Sequence, residues 1–495
     1  MTSRNDDLGG YDQTFQVRQF DINSQLHWLW EFEHLPDKVD EADSRGWSLR
    51  CCVKAPQVYL QADFPSQKNQ RLLLELFLED GKLAAPGGIH EIANWKVSFR
   101  TALAHEAVSH EHIRRHRRLP EDVRKRLLEH REDRFGIWHL YITLAHGGVR
   151  GNIDPNRSKL PPLGEEDLDV FATLLEQHLR KNLGHEHGMH LGFTPTLRPG
   201  IADEVAGGEN WFRPTLVDYS ITFEGSGNDD HSTLNYMMMT RQRPRPTGEG
   251  AGIIRASRPH FAFSRMRLAQ SFFMEDTLCG RIHHDFPGTQ LQRRSDLPIQ
   301  WYWRIERHSR DHGRGPVGCP PNTLWPGSAF EAPMRFVQAD TANHRTLGHS
   351  ARVEFECLTH WRFVSDCPRD NTAVEMTVRG GIDIYITVVD GKLRIHPEGE
   401  KTSRRYGKGT ELWIEECPNR GYYRDIFAGC VQKSAEKEFA AARTGIQNLK
   451  TAWTGLGVHV LPGAKHFSFK NAGAPMVDGF VNLAMEISYR STDEE

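Results

Sequence analysis

The chain has 495 residues, a net charge of -3, 38% apolar residues and 26% charged residues. With glycine added, the apolar share is that of an ordinary globular protein, so the chain can bury a sizeable core and is not disordered. The near-neutral charge gives no global pull toward nucleic acid, and no window approaches the roughly 18 apolar residues of a membrane span.

Residues 1–10 are polar and acidic and lack the apolar run of a secretory signal, so they are expected to be a disordered N-terminus. Leucines dominate 72–78, and Asp80-Gly81 then predicts a turn. Residues 121–134 predict a charged, exposed helix, and the basic runs at 114–118 and 125–131 read as solvated faces diluted by Glu121, Asp122, Glu129, Glu132 and Asp133. A Gly-rich stretch at 147–164 predicts a surface excursion. Residues 165–183 then carry Leu168, Phe171, Leu175, His178 and Leu179 on one side of a helix.

From residue 217 onward, several segments alternate. Val217, Tyr219, Ile221 and Phe223 oppose Asp218, Ser220, Thr222 and Glu224. Ile299, Trp301, Trp303 and Ile305 oppose Gln300, Tyr302, Arg304 and Glu306. Ile382, Ile384, Ile386 and Val388 lead to Asp390-Gly391 and a return at 392–396, a hairpin pattern. One wet and one dry face indicates antiparallel sheet. Residues 241–259 and 309–332, rich in Gly, Pro and Arg, predict further surface excursions.

Near the C-terminus, Phe439, Ala442, Ile446, Leu449, Trp453 and Leu456 recur at steps of three and four. They mark a helix over 433–456 about 36 Å long, ended by Gly455 and Gly457. A last strand is expected over 481–490. No composition shift forces a domain boundary.

Motifs for chemistry are sparse. His105-Glu106 and His110 have a spacing of five, not the four that places two imidazoles on one helical face. His112 and His116 have that spacing but lie in a basic stretch read as exposed, without a carboxylate partner. His185, Glu186, His187 and His190 read as a loop or cap, and His283, His284 and Asp285 are no stronger. There is no GxSxG elbow, phosphate loop or GxGxxG, and Gly248 to Gly252 read as a flexible tip. The eight cysteines form no CxxC pair, which points to a reducing, cytoplasmic setting rather than a disulfide framework or zinc module. No cofactor, metal or catalytic residue is assigned.

Four passages carry a resemblance. The first is Tyr11, Asp12, Gln13, Thr14 and Phe15 through Ile22 and Asn23. The second is Phe212, Arg213, Pro214 and Thr215, then Ser232 through the methionines 237–239 to Thr240, with Arg243 and Pro244. The third is Phe261, Ala262, Phe263, Ser264 and Arg265 before Phe272 and Phe273. The fourth is Leu461, Pro462 and Gly463 with Phe467, Ser468, Phe469 and Lys470. Together they resemble the forty-seven-kilodalton protein family of clostridial neurotoxin gene clusters and its bacterial and fungal relatives, in the tubular lipid-binding (TULIP) superfamily. Val477, Asp478, Gly479 and Phe480 depart from the pattern before the last strand.

The resemblance implies an α+β, β-rich fold. A highly curved antiparallel sheet would wrap around the long C-terminal helix, in one elongated TULIP-like domain over 11–490. It also implies a soluble binding protein for a lipid or lipid-like hydrophobic small molecule. The residues expected to touch such a ligand are Trp301, Trp303, Met238, Phe439, Ile446, Leu449 and Trp453. Two other readings stand beside it. One is a cyclase-like pocket enzyme of specialised (secondary) metabolism, with His139, Tyr141 or Glu486 as buried polar groups. The other is an accessory component of a toxin assembly, with a protein partner from a neighbouring gene. The enzyme question stays open, leaning to a binder, and neither nucleic acid nor a transmembrane segment is expected.

Overall fold

The computed structural model describes residues 8–60, 71–116, 118–145, 147–183, 189–201, 212–223, 232–247, 254, 264–269 and 272. From 289 onward it describes the backbone of the strands named below, and Ile487. The chain divides into two compact units. The first holds 1–267, 455–468 and 486–495, and the second holds 268–454 and 469–485.

In the first unit the chain runs β1 (Gln13–Arg18), α1 (Gln19–Glu31), β2 (Lys38–Ala42), β3 (Ser48–Val53), β4 (Gln57–Leu60), β5 (Arg71–Ala85), β6 (Gly88–Ile92) and β7 (Trp95–Val108). It continues through α2 (His110–Arg115), α3 (Glu121–Leu128), β8 (Phe135–Leu144), a 3-10 turn at Arg150–Asn152, α4 (Glu165–Leu183), β9 (Met189–Leu197), β10 (Pro214–Thr222), β11 (Thr233–Thr240) and β12 (Arg265–Leu268), whose last residue opens the second unit. An eight-stranded sheet has the order β2-β3-β5-β7-β8-β9, with β4 and β6 also pairing with β5.

The second unit contains β13 (Thr289–Arg293), β14 (Gln300–Arg307), β15 (Thr323–Arg335), β16 (His349–Val364), β17 (Thr372–Val389), β18 (Lys392–His396) and β19 (Thr410–Glu416). They form a seven-stranded antiparallel sheet in sequence order from β13 to β18, with β19 on β17. The remaining strands are β20 (His466–Gly473), β21 (Met476–Val477), β22 (Phe480–Val481) and β23 (Leu483–Arg490). β21 pairs with β22, while β20 and β23 close a six-stranded sheet of order β10-β11-β1-β12-β23-β20.

The helix expected at 165–183 is α4. It buries Val170, Phe171, Leu174, Leu175, His178 and Leu179, and Leu168 is half-buried. The 382–396 hairpin is present, with Val389 opposite Lys392. The helix expected at 433–456 lies outside the described residues.

Several expectations are corrected. Asp80-Gly81 is not a turn, because β5 continues to Ala85. Asp80 takes a left-handed φ of 44°, and β5 exchanges β4 and β7 on its first half for β3 and β6 on its second. Between Arg50 and Cys52 the register shifts, with Asp80 and Gly81 of β5 set against Cys51 of β3, which marks the same point as a bulge in β5. The helix at 121–134 ends at Leu128, where the backbone turns over 129–134 toward β8. Residues 323–332, expected in a surface loop, belong to β15, which pairs with both β14 and β16. Pro326 and Pro333 each remove one donor from that ladder, yet pairing along both edges outweighs the local composition. Leu8 is fully buried and accepts the Tyr11 N–H, so order begins inside the segment expected to be disordered. The 147–164 segment is docked along β7, where Ile153 bridges Phe99 and Lys159 bridges Lys96.

β1 is almost wholly buried, though Asp12, Gln13, Thr14 and Gln16 at and beside it are polar. Asp12, Gln13 and Gln16 each reach a neighbouring strand or loop. Asp12 accepts from the Thr240 backbone N–H (2.9 Å), the Thr240 hydroxyl (2.8 Å) and Arg243 Nη1 (2.7 Å). Gln16 donates to Asn235 Oδ1 (2.9 Å) and accepts from Arg265 Nε (2.6 Å). Asn235 donates onward to Ser220 and Thr222. The network runs across β10, β11, β1 and β12.

Two measurements follow from this packing. A β-carbon at Gly81 would fall 2.1 Å from the Arg50 carbonyl oxygen. Gly81→Ala is therefore expected to lower stability by about 2 kcal/mol in urea unfolding. Asp12→Ala leaves Arg243 and Thr240 without their acceptor and is expected to cost about 3 kcal/mol, read the same way. A loss below ~1 kcal/mol would show that β1 is held by its apolar contacts instead.

Candidate functional site

The residues placed on a ligand by the sequence fall in different parts of the chain. Met238 lies in β11 of the first unit, fully buried, opposite Gln13 on one side and Val217 on the other. Trp301 and Trp303 lie in β14 of the second unit, in register with Met334 and Ala332 of β15 and with Arg293 and Leu291 of β13. Phe439, Ile446, Leu449 and Trp453 lie outside the described residues. Glu486 stands in β23.

His139 and Tyr141 come together in the densest group of titratable side chains among the described residues. Strand pairing sets Glu106 of β7 opposite His139 of β8, and His139 opposite Phe193 of β9. A bulge between Leu140 and Tyr141 brings Tyr141 opposite His190. All of these lie on the sheet face that also carries Val108 and Ile137. On that face α2 and α3 pack through Ile113, Leu119, Val123 and Leu127.

Within this layer His139 stacks on Phe193 (centroids 4.5 Å, 9° between planes) and on Tyr141 (4.7 Å). His139 Nε2 lies 2.6 Å from His190 Nδ1. His116 meets His190 edge-on at 4.5 Å, and His112 lies 5.7 Å from His116. His116, read from sequence as exposed, is buried. The turn after α2 carries its ring inward, while Arg114 and Arg115 stay in solvent.

Burial sets the protonation of these groups. The His190 imidazole is held well below its ordinary pKa, first by loss of solvent and then by His139, His116, His112 and Arg118. The Tyr141 phenol is raised to about 12 by burial and by the Glu106 carboxylate to which it donates. His130, whose carbonyl oxygen meets the ring of His110, is pushed down to about 4 by burial and then by Arg213. On the opposite face of β7 and β8, His105 stacks on Trp138 and is pushed down to about 4 by burial and Arg245. There Tyr219 of β10 packs edge-on to His105 and donates to the Leu103 carbonyl.

Both faces of this part of the sheet are thus covered, and every residue of β9 is buried. A proton can be shared between His139 Nε2 and His190 Nδ1, beside the Tyr141 phenol. No group of three or more His, Cys, Asp or Glu among the described residues is arranged to hold a metal ion.

Sequence reading missed α1, although its buried Ile22, Leu26 and Leu29 recur at helical spacing. It also missed the convergence of His112, His116, His139 and His190, which only the strand pairing assembles.

No family description and no curated protein matches the chain. Solved structures do. P47 of Clostridium botulinum E1 aligns over 97% of this chain and 99% of its own, at a TM-score of 0.52 and 9% identity. P47 from Clostridium botulinum A2 aligns over 97% of each chain, at a TM-score of 0.51 and 9% identity. A lipopolysaccharide binding protein aligns over 97% of this chain and all of its own, at a TM-score of 0.34 and 10% identity. The α+β, β-rich architecture, with its strongly curled antiparallel sheet and few helices, is the fold of the clostridial P47 structures.

Proposed function

We propose that the chain binds a lipid or lipid-like hydrophobic small molecule by apolar contact, without a covalent step. The observation that carries this reading is the fold, shared with P47 over 97% of the chain and containing unusually long strands. β16 has 16 residues and β17 has 18. At about 3.3 Å per residue such strands run for roughly 50 to 60 Å, several times the length of a common strand. Long antiparallel strands that curl offer an extended apolar surface suited to an elongated molecule.

Burial is worth ~0.8 kcal/mol per methylene, so about 12 methylenes supply roughly 10 kcal/mol before ordering costs remove several. We assign ligand contact to Trp301 and Trp303 of the second unit, with Met238, Phe439, Ile446, Leu449 and Trp453 kept as further candidates from the sequence. No helix among the described residues is long and apolar enough to cross a membrane. Cys51 and Cys52 are adjacent and both free, which supports placing the protein in the cytoplasm. A cyclase-like reading would draw its acid–base groups from Glu106, Tyr141 and His139. That layer is roofed by α2 and α3, which favours the binder.

Native mass spectrometry of gently purified protein is expected to show a co-purifying apolar adduct. A fluorescent fatty acid is expected to bind at roughly micromolar Kd. Trp303→Ala should weaken uptake by about tenfold, the loss of a buried aromatic contact. A protein that carries no adduct and takes up no fatty acid is not a lipid binder.

A further inference from the structure

We propose that the segment α2–α3 is an acid-released flap, held on β7–β9 by the buried layer of His112, His116, His139 and His190 only while those imidazoles are uncharged. The four rings converge from three elements. His112 and His116 come from α2 and the turn after it, His139 from β8 and His190 from β9. Between His139 Nε2 and His190 Nδ1, 2.6 Å apart, there is room for one proton. A further proton on either ring would place a cation against neighbouring imidazoles inside a seam where His139, His190 and His116 are all buried.

The charges acting on His190 do not favour a cation there. From the segment after α2, Arg118 acts on His190 with the same sign as the histidines. On α2, Glu111 is exposed and paired with Arg115. On β7, the Glu106 carboxylate accepts the Tyr141 phenol. On α4, His178 lies 3.8 Å from Glu41, whose other oxygen is bonded to Lys181. Near α3, His130 faces Arg213 and Arg126. None of the charges acting on His190 raises its proton affinity.

Among the described residues the flap is also anchored by the packing of Ile113, Leu119, Val123 and Leu127 against Val108, Ile137 and Phe193, by a hydrogen bond between the Arg118 backbone and His34, and by a hydrogen bond from Arg118 to Asn182 at 2.7 Å.

The sign follows from proton linkage. In the opened state these histidines titrate near their ordinary value of about 6.5, whereas in the closed state His190 is held below it. The open state therefore binds more protons. Closure is fully favoured above about pH 6.5, and the open population rises up to tenfold per pH unit below it for each imidazole that must stay neutral.

Hydrogen exchange of the full chain at pH 7.5 and 5.5, corrected for the intrinsic rate, tests this. Opening at α2, α3 and the first residues of β9 is expected to rise at least tenfold, while β3 and β5, which carry no histidine, change little. A rise no greater at α2 than at β5 overturns the proposal. A double variant, His139→Phe with His190→Phe, keeps rings in the stack without their protons and is expected to lose most of the response. Retention of the full response in a folded double variant also overturns it. If that variant does not fold, the comparison within the unsubstituted protein decides.

Discussion

The register of β1 is the constraint on which the first unit depends, and it is set by polar side chains rather than apolar ones. Asp12, Gln13, Thr14 and Gln16 are buried where apolar residues would ordinarily sit. Burying Asp12, Gln13 and Gln16 is tolerable because each finds a partner on a neighbouring strand or loop. A slip of one residue would turn every side chain to the other face and leave Asp12 away from Arg243, and Gln16 away from Asn235 and Arg265. Apolar contacts alone would tolerate such slips at modest cost. The polar pairs do not, so they select a single alignment of β10, β11, β1 and β12. The same strand order then carries the chain's last strand, β23, onto β12, and Ile487 donates its N–H to the Ser264 carbonyl at 2.8 Å.

Asp12, Asn235, Thr240, Arg243 and Arg265 of this network fall within the first three passages that carry the resemblance. Ser264 accepts the Arg18 N–H and bonds to Asp21, so it fastens the start of α1 as well. A buried polar pair fixes residue identity at both of its ends, whereas an apolar position accepts several side chains of similar volume. At 9% identity the fold is common to the P47 structures although little of the sequence is.

Elements with a strong local pattern were legible: α4 from its apolar face, and the β17–β18 hairpin from alternation around Asp-Gly. The failures share one cause, which is that pairing decided what local residues suggested otherwise. Asp-Gly at 80–81 favours a turn, but β3 and β6 extend the ladder past it, and the left-handed φ is absorbed as a bulge. Proline and glycine at 326–327 favour a loop, but β14 and β16 claim both edges. The histidine layer was invisible for the same reason. Spacing can place His112 and His116 together, but only the pairing of Tyr141 with His190 brings a second strand to them.

The filled faces of the first unit bear on where a cargo could sit. Strands β7, β8 and β9 meet α2 and α3 on one face and Tyr219 of β10 on the other, and Met237, Met238 and Met239 are all buried. An interior at crystal-like packing density has no room for an acyl chain unless its own side chains withdraw. Met238 could meet a ligand only if its neighbours shifted, and methionine is the residue that permits such shifts at least cost. The long ladders of β15, β16 and β17 carry no such requirement in their backbone pairing. Trp301 and Trp303 stand in β14, on the ladder with β15.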